Sequence, residues 1–164
     1  ADRSAMQIAL VGETEHDVRE VMIEGPSGLL RACPPIERPL WIPSRRRLEW
    51  PNGAVGLAFS AEDPEQLRGP QFDAAWCDEL AKWRHVDSTF DMLQFGLRLG
   101  LRPRQLITTP RPIALIKRLL ADPRTAVTRA STHANATHLS PATPARGSDG
   151  RRSTERSGKQ RGKE

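Results

Sequence analysis

The chain has 164 residues, of which 37% are hydrophobic, and a net charge of +5. That length suits one domain with one core and is too short for two catalytic domains. The hydrophobic share lies below the about 45–50% of globular chains, an average that also counts Gly, so part of the chain is expected not to fold. The charge is uneven: residues 130–164 carry seven Arg or Lys against three Asp or Glu, leaving only +1 on the first 129 residues. The basic balance therefore describes a tail and does not by itself mark the domain as a nucleic-acid binder.

Cys33 and Cys77 form no CxxC pair, which argues against a disulfide framework and a thiolate zinc site. His16, His85, His133 and His138 show no metal-ligand spacing. No apolar stretch reaches the roughly 18–20 residues of a membrane span. The opening ADRSAMQIAL has no basic region ahead of a long apolar run, so no secretory signal is read in it. It lacks an initial Met and reaches a strand-like run by Gln7, as expected of a fragment or a processed chain. A soluble, cytoplasmic protein is the expectation.

In chain order, Gln7–Gly12 reads as a short buried strand ending at Gly. Thr14 with Asp17 three residues on approximates an N-capping box, and Val18, Val21 and Met22 give a helical apolar stripe that Gly25-Pro26-Ser27-Gly28 ends. The proline-rich stretch from Cys33 to Ser44 reads as irregular or extended chain. Arg45–Trp50 and Ala54–Phe59 flank Pro51-Asn52-Gly53, and Asn-Gly between strand-like runs is a strong hairpin signal. Ser60–Gln71 is a polar loop.

Phe72–Cys77 is a second buried strand, with Asp78-Glu79 at its end. Phe90, Leu93, Phe95 and Leu97 place a helix within Val86–Leu99, which Gly100 is expected to stop. Arg104–Thr108 is a third short strand and Thr109–Pro112 a turn. Ile113, Ile116, Leu119 and Leu120 make an amphipathic helix closed by Asp122-Pro123, and Thr125–Arg129 is expected as a last strand. Strands alternating with helices argue for an α/β fold with a mostly parallel sheet and helices on its faces. Two regions follow: a domain over 1–129, and a basic, low-complexity tail over 130–164 that is expected to be disordered because it has too little apolar area to offset its ordering entropy.

The residues that bear chemistry cluster at strand ends. An apolar strand ending in Asp-Glu is the Walker B arrangement, which delivers carboxylates to the sheet edge where ligands bind in open α/β folds. Asp78 is then a candidate for Mg²⁺ and Glu79 for the general base that polarises a water. Both acids also suit the first turn of a helix. Arg68, on the Gly-flanked loop ahead of that strand, is a candidate arginine finger, although an Arg in such a loop is far more often an ordinary surface residue. Thr108 and Thr109, ending the next strand, are candidate γ-phosphate sensors or simple strand-end caps. Arg45-Arg46-Arg47 reads as a solvated hairpin face more readily than as a DNA contact. Trp41, Trp50, Trp76 and Trp83 read as core and interface residues, and Cys77 as a small buried hydrophobe. No GxxxxGKS or GxxxxGKT phosphate loop occurs in the chain.

Taken in order, Ile8-Ala-Leu-Val-Gly-Glu-Thr-Glu-His-Asp-Val-Arg-Glu-Val-Met22, Trp50-Pro-Asn-Gly53, Ser60-Ala-Glu-Asp-Pro-Glu-Gln-Leu-Arg-Gly-Pro-Gln71, Ala75-Trp-Cys-Asp-Glu-Leu-Ala-Lys-Trp83 and Thr108-Thr-Pro-Arg-Pro112 carry a resemblance. Together they resemble the ATPase domain of the large terminase subunit of tailed bacteriophages and gene transfer agents, over about residues 6–132. The combination of LRGPQ, WCDELAKW and TTPRP in this order is what makes the resemblance specific.

The resemblance implies a RecA-like ASCE P-loop NTPase core whose N-terminal P-loop part is missing here. It implies ATP and Mg²⁺ as cofactors, and a motor that drives double-stranded DNA into a procapsid as a homo-oligomeric ring. Portal protein and small terminase subunit are the implied partners, and the cytoplasm of a bacterial host carrying a prophage the implied setting. By position, Asp78 matches the Walker B Mg²⁺ aspartate, Glu79 the catalytic glutamate, and Arg68 the Arg of the LRG segment, a trans-acting finger. Thr108 and Thr109 fall in the coupling motif that links hydrolysis to DNA movement. The chain departs from the family in four places. The P-loop is absent; Ile107 stands where relatives have the first Thr of TTTPRP; Ser131-Thr132-His133-Ala134-Asn135 keeps part of a segment like STYDN; and the nuclease carboxylates have no counterpart. Three readings stay open at this point: a motor component, an inactive remnant of such a gene, and a basic protein binding nucleic acid non-specifically.

Overall fold

The computed structural model describes residues 6–129. The chain divides into two units, Ala1–Thr125 and Ala126–Glu164. The tail from residue 130 on, with Ser131–Asn135, lies outside the described residues.

Six strands form one sheet: β1 (Gln7–Gly12), β2 (Leu40–Ile42), β3 (Arg47–Glu49), β4 (Val55–Ser60), β5 (Ala74–Cys77) and β6 (Arg104–Ile107), in the order β2-β3-β4-β1-β5-β6. Strands β4, β1, β5 and β6 run parallel, and β2 and β3 add an antiparallel ribbon beside β4. The sheet is thus mixed. The helices are α1 (Glu15–Asp17), α2 (Leu29–Ala32), α3 (Val86–Gly96) and α4 (Ala114–Leu120), with a π-helical segment, Val18–Ile23, directly after α1. Among the described residues, no helix is long and apolar enough to cross a membrane.

Alternation along the strands sorts the core into two faces. Ala9, Val11, Ala75 and Cys77 point to one, where Phe59, Phe72, Leu80, Phe90, Leu93, Leu115 and Ile116 pack. Leu10 and Ala58 point to the other, with Val18, Met22, Ile23 and Leu48. Trp83 is 4% exposed in the first cluster, and Trp41, Trp50 and Trp76 lie partly buried against the second. Cys77 is fully buried, and burial pushes its thiol pKa up to about 12.

The expected capping box forms: the Asp17 amide donates to Thr14 Oγ1 (3.1 Å), and the Thr14 amide donates to Asp17 Oδ2 (3.2 Å). The stripe after it differs from expectation. Val18, Met22 and Ile23 are buried, while Val21 is 54% exposed. The backbone is wound wider here, with the Glu24 amide donating to the Arg19 carbonyl at 2.8 Å. A five-residue closure aligns positions i, i+4 and i+5, so Ile23 replaces Val21 on the buried face.

The hairpin turns at Gly53, whose φ of +86° needs the missing Cβ, and the Asn52 side chain accepts from the Ala54 amide at 3.0 Å. The extended part of the proline-rich stretch is β2, on the sheet edge. The polar loop after β4 contains a 3₁₀ turn, Pro64–Leu67, that buries Leu67.

Helix α3 stops at Gly96, ahead of the expected stop at Gly100. The Gly96 carbonyl accepts from the Phe72 amide (2.8 Å), and a Cβ at Gly96 would meet the Phe72 ring at 3.2 Å. The chain leaves helical geometry at Leu97 and pairs with the entry to β5, Gly96 allowing the close approach, and Gly100, at φ +70°, only turns the chain toward β6. Phe95, expected on the packed stripe, is 73% exposed. Helix α4 buries Leu115 and Ile116, whereas Leu120 is 41% exposed. No strand forms at Thr125–Arg129: its one large apolar residue, Val127, is 50% exposed and offers no face worth pairing.

Candidate functional site

Parallel pairing places the C-terminal ends of β1, β5 and β6 side by side: Val11 pairs with Cys77, and Cys77 with Ile107. The residues just beyond these ends are Gly12–Thr14, Asp78-Glu79 and Thr108-Thr109. Their convergence follows from register alone.

Thr108 joins both acids. Its hydroxyl donates to Asp78 Oδ1 at 2.7 Å and accepts from the Glu79 amide at 2.9 Å. Its carbonyl accepts from the Leu80 amide at 3.0 Å. The Asp78 amide donates to the Val11 carbonyl (2.9 Å), and the Trp83 indole N–H donates to the Asp78 carbonyl (2.9 Å). Asp78 is therefore held from β1, from β6 and from its own turn, with Oδ1 engaged and no donor on Oδ2 among the described residues.

Glu79 adopts φ +50°, ψ +41°, the left-handed region that a non-Gly residue occupies only at a cost. It opens the 3₁₀ turn Leu80–Lys82, and its Oε2 lies 3.1 Å from Lys82 Nζ. Lys82 is exposed. The Glu79 carboxylate raises its pKa, first through the hydrogen bond and then through charge, with smaller contributions from Glu13 and Asp17. Those acids belong to the segment following β1, so the same edge gathers carboxylates from two loops.

Thr109 is half-buried, and its hydroxyl donates to the Arg111 carbonyl at 3.0 Å rather than to either acid. Arg68 stands apart. It follows the Pro64–Leu67 turn, exposed and paired with Glu65 at 2.9 Å, and lines a shallow cleft of about 310 Å³ with Met92, Phe95, Gly96 and Arg98 at the C-terminal end of α3. Asp78, Glu79 and Thr108 are thus brought together, Thr109 lies next to them, and Arg68 makes no contact with them. In the basic triplet, Arg46 pairs with Glu15 (2.8 Å) and Arg47 with Glu49 (2.6 Å). This is the behaviour of a hairpin face.

Two residues of this site carried no sequence signal of their own. Trp83 reads as core, yet its indole N–H fixes the Asp78 carbonyl. Arg111 reads as a turn residue, yet its Nη2 donates to the Ala81 carbonyl at 3.2 Å. The only hint was that both stand inside the WCDELAKW and TTPRP segments.

The sequence profile of the family described as terminase large subunit, T4likevirus-type, N-terminal, matches residues 2–150. No curated protein matches the chain. Among solved structures, the large terminase of a thermophilic bacteriophage is similar with a TM-score of 0.52 at 13% identity, over 65% of this chain and 27% of that one. The same terminase in complex with ADP matches equally, with 26% of its chain covered. The large terminase ATPase domain of Thermus phage P74-26 has a TM-score of 0.49 at 16% identity, over 77% of this chain and 57% of that one. At these identities the likeness is one of fold, and this chain spans about a quarter of the first of these terminases.

Proposed function

The chain belongs to the terminase large-subunit family, and from that premise we propose that it supplies the carboxylate edge of an ATP-hydrolysing motor that moves double-stranded DNA into a procapsid. The observation that supports the reading is the single Thr108 hydroxyl bonded at once to the Asp78 carboxylate and the Glu79 amide. An acid pair tied to the end of the neighbouring strand is what a motor needs if hydrolysis at one strand end is to be felt at the next.

The donor set fits Mg²⁺. That ion commonly binds through one or two carboxylates, with the remaining positions filled by water and substrate phosphates. Asp78 offers one oxygen already oriented by Thr108 and one without a protein donor. Among the described residues, no group of three or more His, Cys, Asp or Glu could hold a metal ion alone, so the site is not an all-protein cage. Mg²⁺–ATP, when bound, supplies the phosphoryl group that water attacks. Glu79 orients that water and takes its proton. Thr108, with Thr109 beside it, relays the state of the edge toward α4. Arg68 acts in trans, reaching the site of a neighbouring subunit in a homo-oligomeric ring; its exposure and its pairing with Glu65 rather than with the site's acids support this assignment. Portal protein, small terminase subunit and a host-cell cytoplasmic setting complete the proposal.

The test joins the chain to a phosphate loop. Joined to a segment bearing GxxxxGKS or GxxxxGKT, the chain is expected to hydrolyse MgATP. Asp78→Asn and Glu79→Gln are each expected to lower turnover by about 10²–10⁴-fold. Normal turnover in both variants sinks the assignment.

A further inference from the structure

Strand β6 is one edge of the sheet, and its outer side is open. The Arg104 amide donates to the Asp73 carbonyl (3.1 Å) and the Thr108 amide to the Cys77 carbonyl (3.0 Å), so the even-numbered residues of β6 turn their backbone groups to β5. Alternation turns the N–H and C=O of Gln105 and Ile107 outward, where they meet no partner among the described residues. Arg104, Gln105 and Leu106 are exposed, Leu106 by 61%. At the far edge, Pro39 and Pro43 bracket β2 and offer no N–H. At β6 only Pro103, on its N-terminal side, limits pairing.

Such an edge can pair with itself in a register that uses both outward residues. Set antiparallel about Leu106, Gln105 of each copy faces Ile107 of the other, and each such pair exchanges two hydrogen bonds. Leu106 then stands opposite Leu106 of the other copy at a non-hydrogen-bonded position, where side chains approach most closely. Leu106 is in register with Trp76, and Trp76 with Leu10, so the Leu106 pair extends the apolar face of the second core cluster.

The charges agree with this direction. Ala74 pairs with Arg104 and Cys77 with Ile107, so Arg104, Leu106, Thr108 and Asp78 fall on one face. In the antiparallel pair, Arg104 stands opposite Thr108 of the other copy, two strand spacings, about 10 Å, from the backbone of that copy's Asp78. An arginine and an aspartate side chain together span that gap. Among the described residues, Arg104 has no ion-pair partner and Asp78 Oδ2 no donor. One end of β6 is basic and the other lies beside acids, so the two-fold arrangement sets opposite charges together at both ends.

We propose that the outer edge of β6 is a self-association site, at which two copies of this chain pair antiparallel about Leu106 into one continuous sheet. The contact is isologous and closes at two copies, which separates it from the head-to-tail contacts of a ring. It draws on the charge of Asp78 and not on its proposed catalytic role, so this proposal and the hydrolysis reading fail independently.

Light scattering on the full chain of 18.3 kDa tests it without nucleotide. The mass is expected to rise with concentration to twice that value and no further. Leu106→Lys, at an exposed position, is expected to raise the dissociation constant by more than about tenfold, since it removes the apolar pair and sets like charges face to face. Arg104→Gln is expected to raise it by up to about fivefold. Thermal unfolding checks that the variants fold. Cross-linking then reads the register. In a Cys33→Ser background, with Cys77 buried, mild oxidation of Leu106→Cys is expected to give a disulfide-linked dimer, because opposed Cα atoms about 4.5 Å apart suit that bond. Gln105→Cys, which faces Ile107, is expected not to link. A mass that stays at one chain leaves the edge to some other strand and overturns the proposal. A mass that grows past two chains, or Gln105→Cys linking as readily as Leu106→Cys, shows adhesion without this register and overturns it as well.

Discussion

Replacing Glu79 by Gly is expected to stabilise the protein while removing the acid proposed to do its chemistry. Glu79 sits at φ +50°, ψ +41°. An L-residue pays about 1–2 kcal/mol in that region because its Cβ crowds the following carbonyl oxygen. Glycine has no Cβ and escapes the cost, but loses roughly 0.5–1 kcal/mol through the greater freedom of its unfolded chain. The hydrogen bond from the residue 79 backbone N–H to Thr108 Oγ1 survives the change. The ion pair with Lys82 is lost, which matters little because both partners are solvated and screened. The balance is a gain of roughly 0.5–1 kcal/mol, or about 2–5 °C in Tm for an ordered region of this size. Glu79→Gln is the control: it removes the charge, keeps the backbone strain, and is expected within about 0.5 kcal/mol of wild type. Urea and thermal unfolding of the two variants side by side give the answer. If Glu79→Gly proves less stable than Glu79→Gln, the left-handed turn stores no strain and the argument fails. A gain in stability at the cost of the carboxylate is the trade expected where a strained residue serves function.

Two further outcomes follow from the same geometry. Thr108→Val removes a hydrogen bond to a carboxylate and the acceptor of the Glu79 amide, and should cost about 2 kcal/mol in urea unfolding, whereas Thr108→Ser should stay near wild type. A thiol reagent at pH 8 should label the half-buried Cys33 in the native protein and reach the buried Cys77 only as fast as the protein unfolds. Because burial lifts the Cys77 thiol from 9.0 to about 12, its contribution to stability is complete below the lower value and lost as pH rises toward the upper one, since only the unfolded chain ionises in between. Cys77→Ala should flatten that alkaline decline.

Local chemistry made much of this protein legible. Apolar runs ending in Gly or in acids marked β1 and β5, Asn-Gly marked the hairpin, and Thr14 with Asp17 marked a helix start. These signals are contained within a few residues, so they survive without any knowledge of neighbours. The signals that misled depended on winding or packing. Val21 was displaced by Ile23 because the helix widens to five-residue closure. Helix α3 ended at Gly96 because the chain leaves helical geometry at Leu97 and the Gly96 carbonyl is taken by the Phe72 amide. Thr125–Arg129 formed no strand because alternation without burial has nothing to pair for.

The candidate site divides in the same way. Asp78, Glu79 and Thr108 were identifiable as residue types at strand ends, where a carboxylate or hydroxyl serves either a ligand or a helix or strand cap, and it was the order of their motifs that pointed to the family. What the sequence could not specify was the bonding among them. Thr108 lies 30 residues from Asp78, and it meets that carboxylate only because β5 and β6 are neighbours in parallel register. The same register gave Arg111 its carbonyl partner, whereas Trp83 meets the Asp78 carbonyl within its own turn and Arg68 stays apart, beside α3. Residue types are written in the chain one at a time, but a hydrogen bond needs two groups within about 3 Å, and only the pairing of strands brings them there.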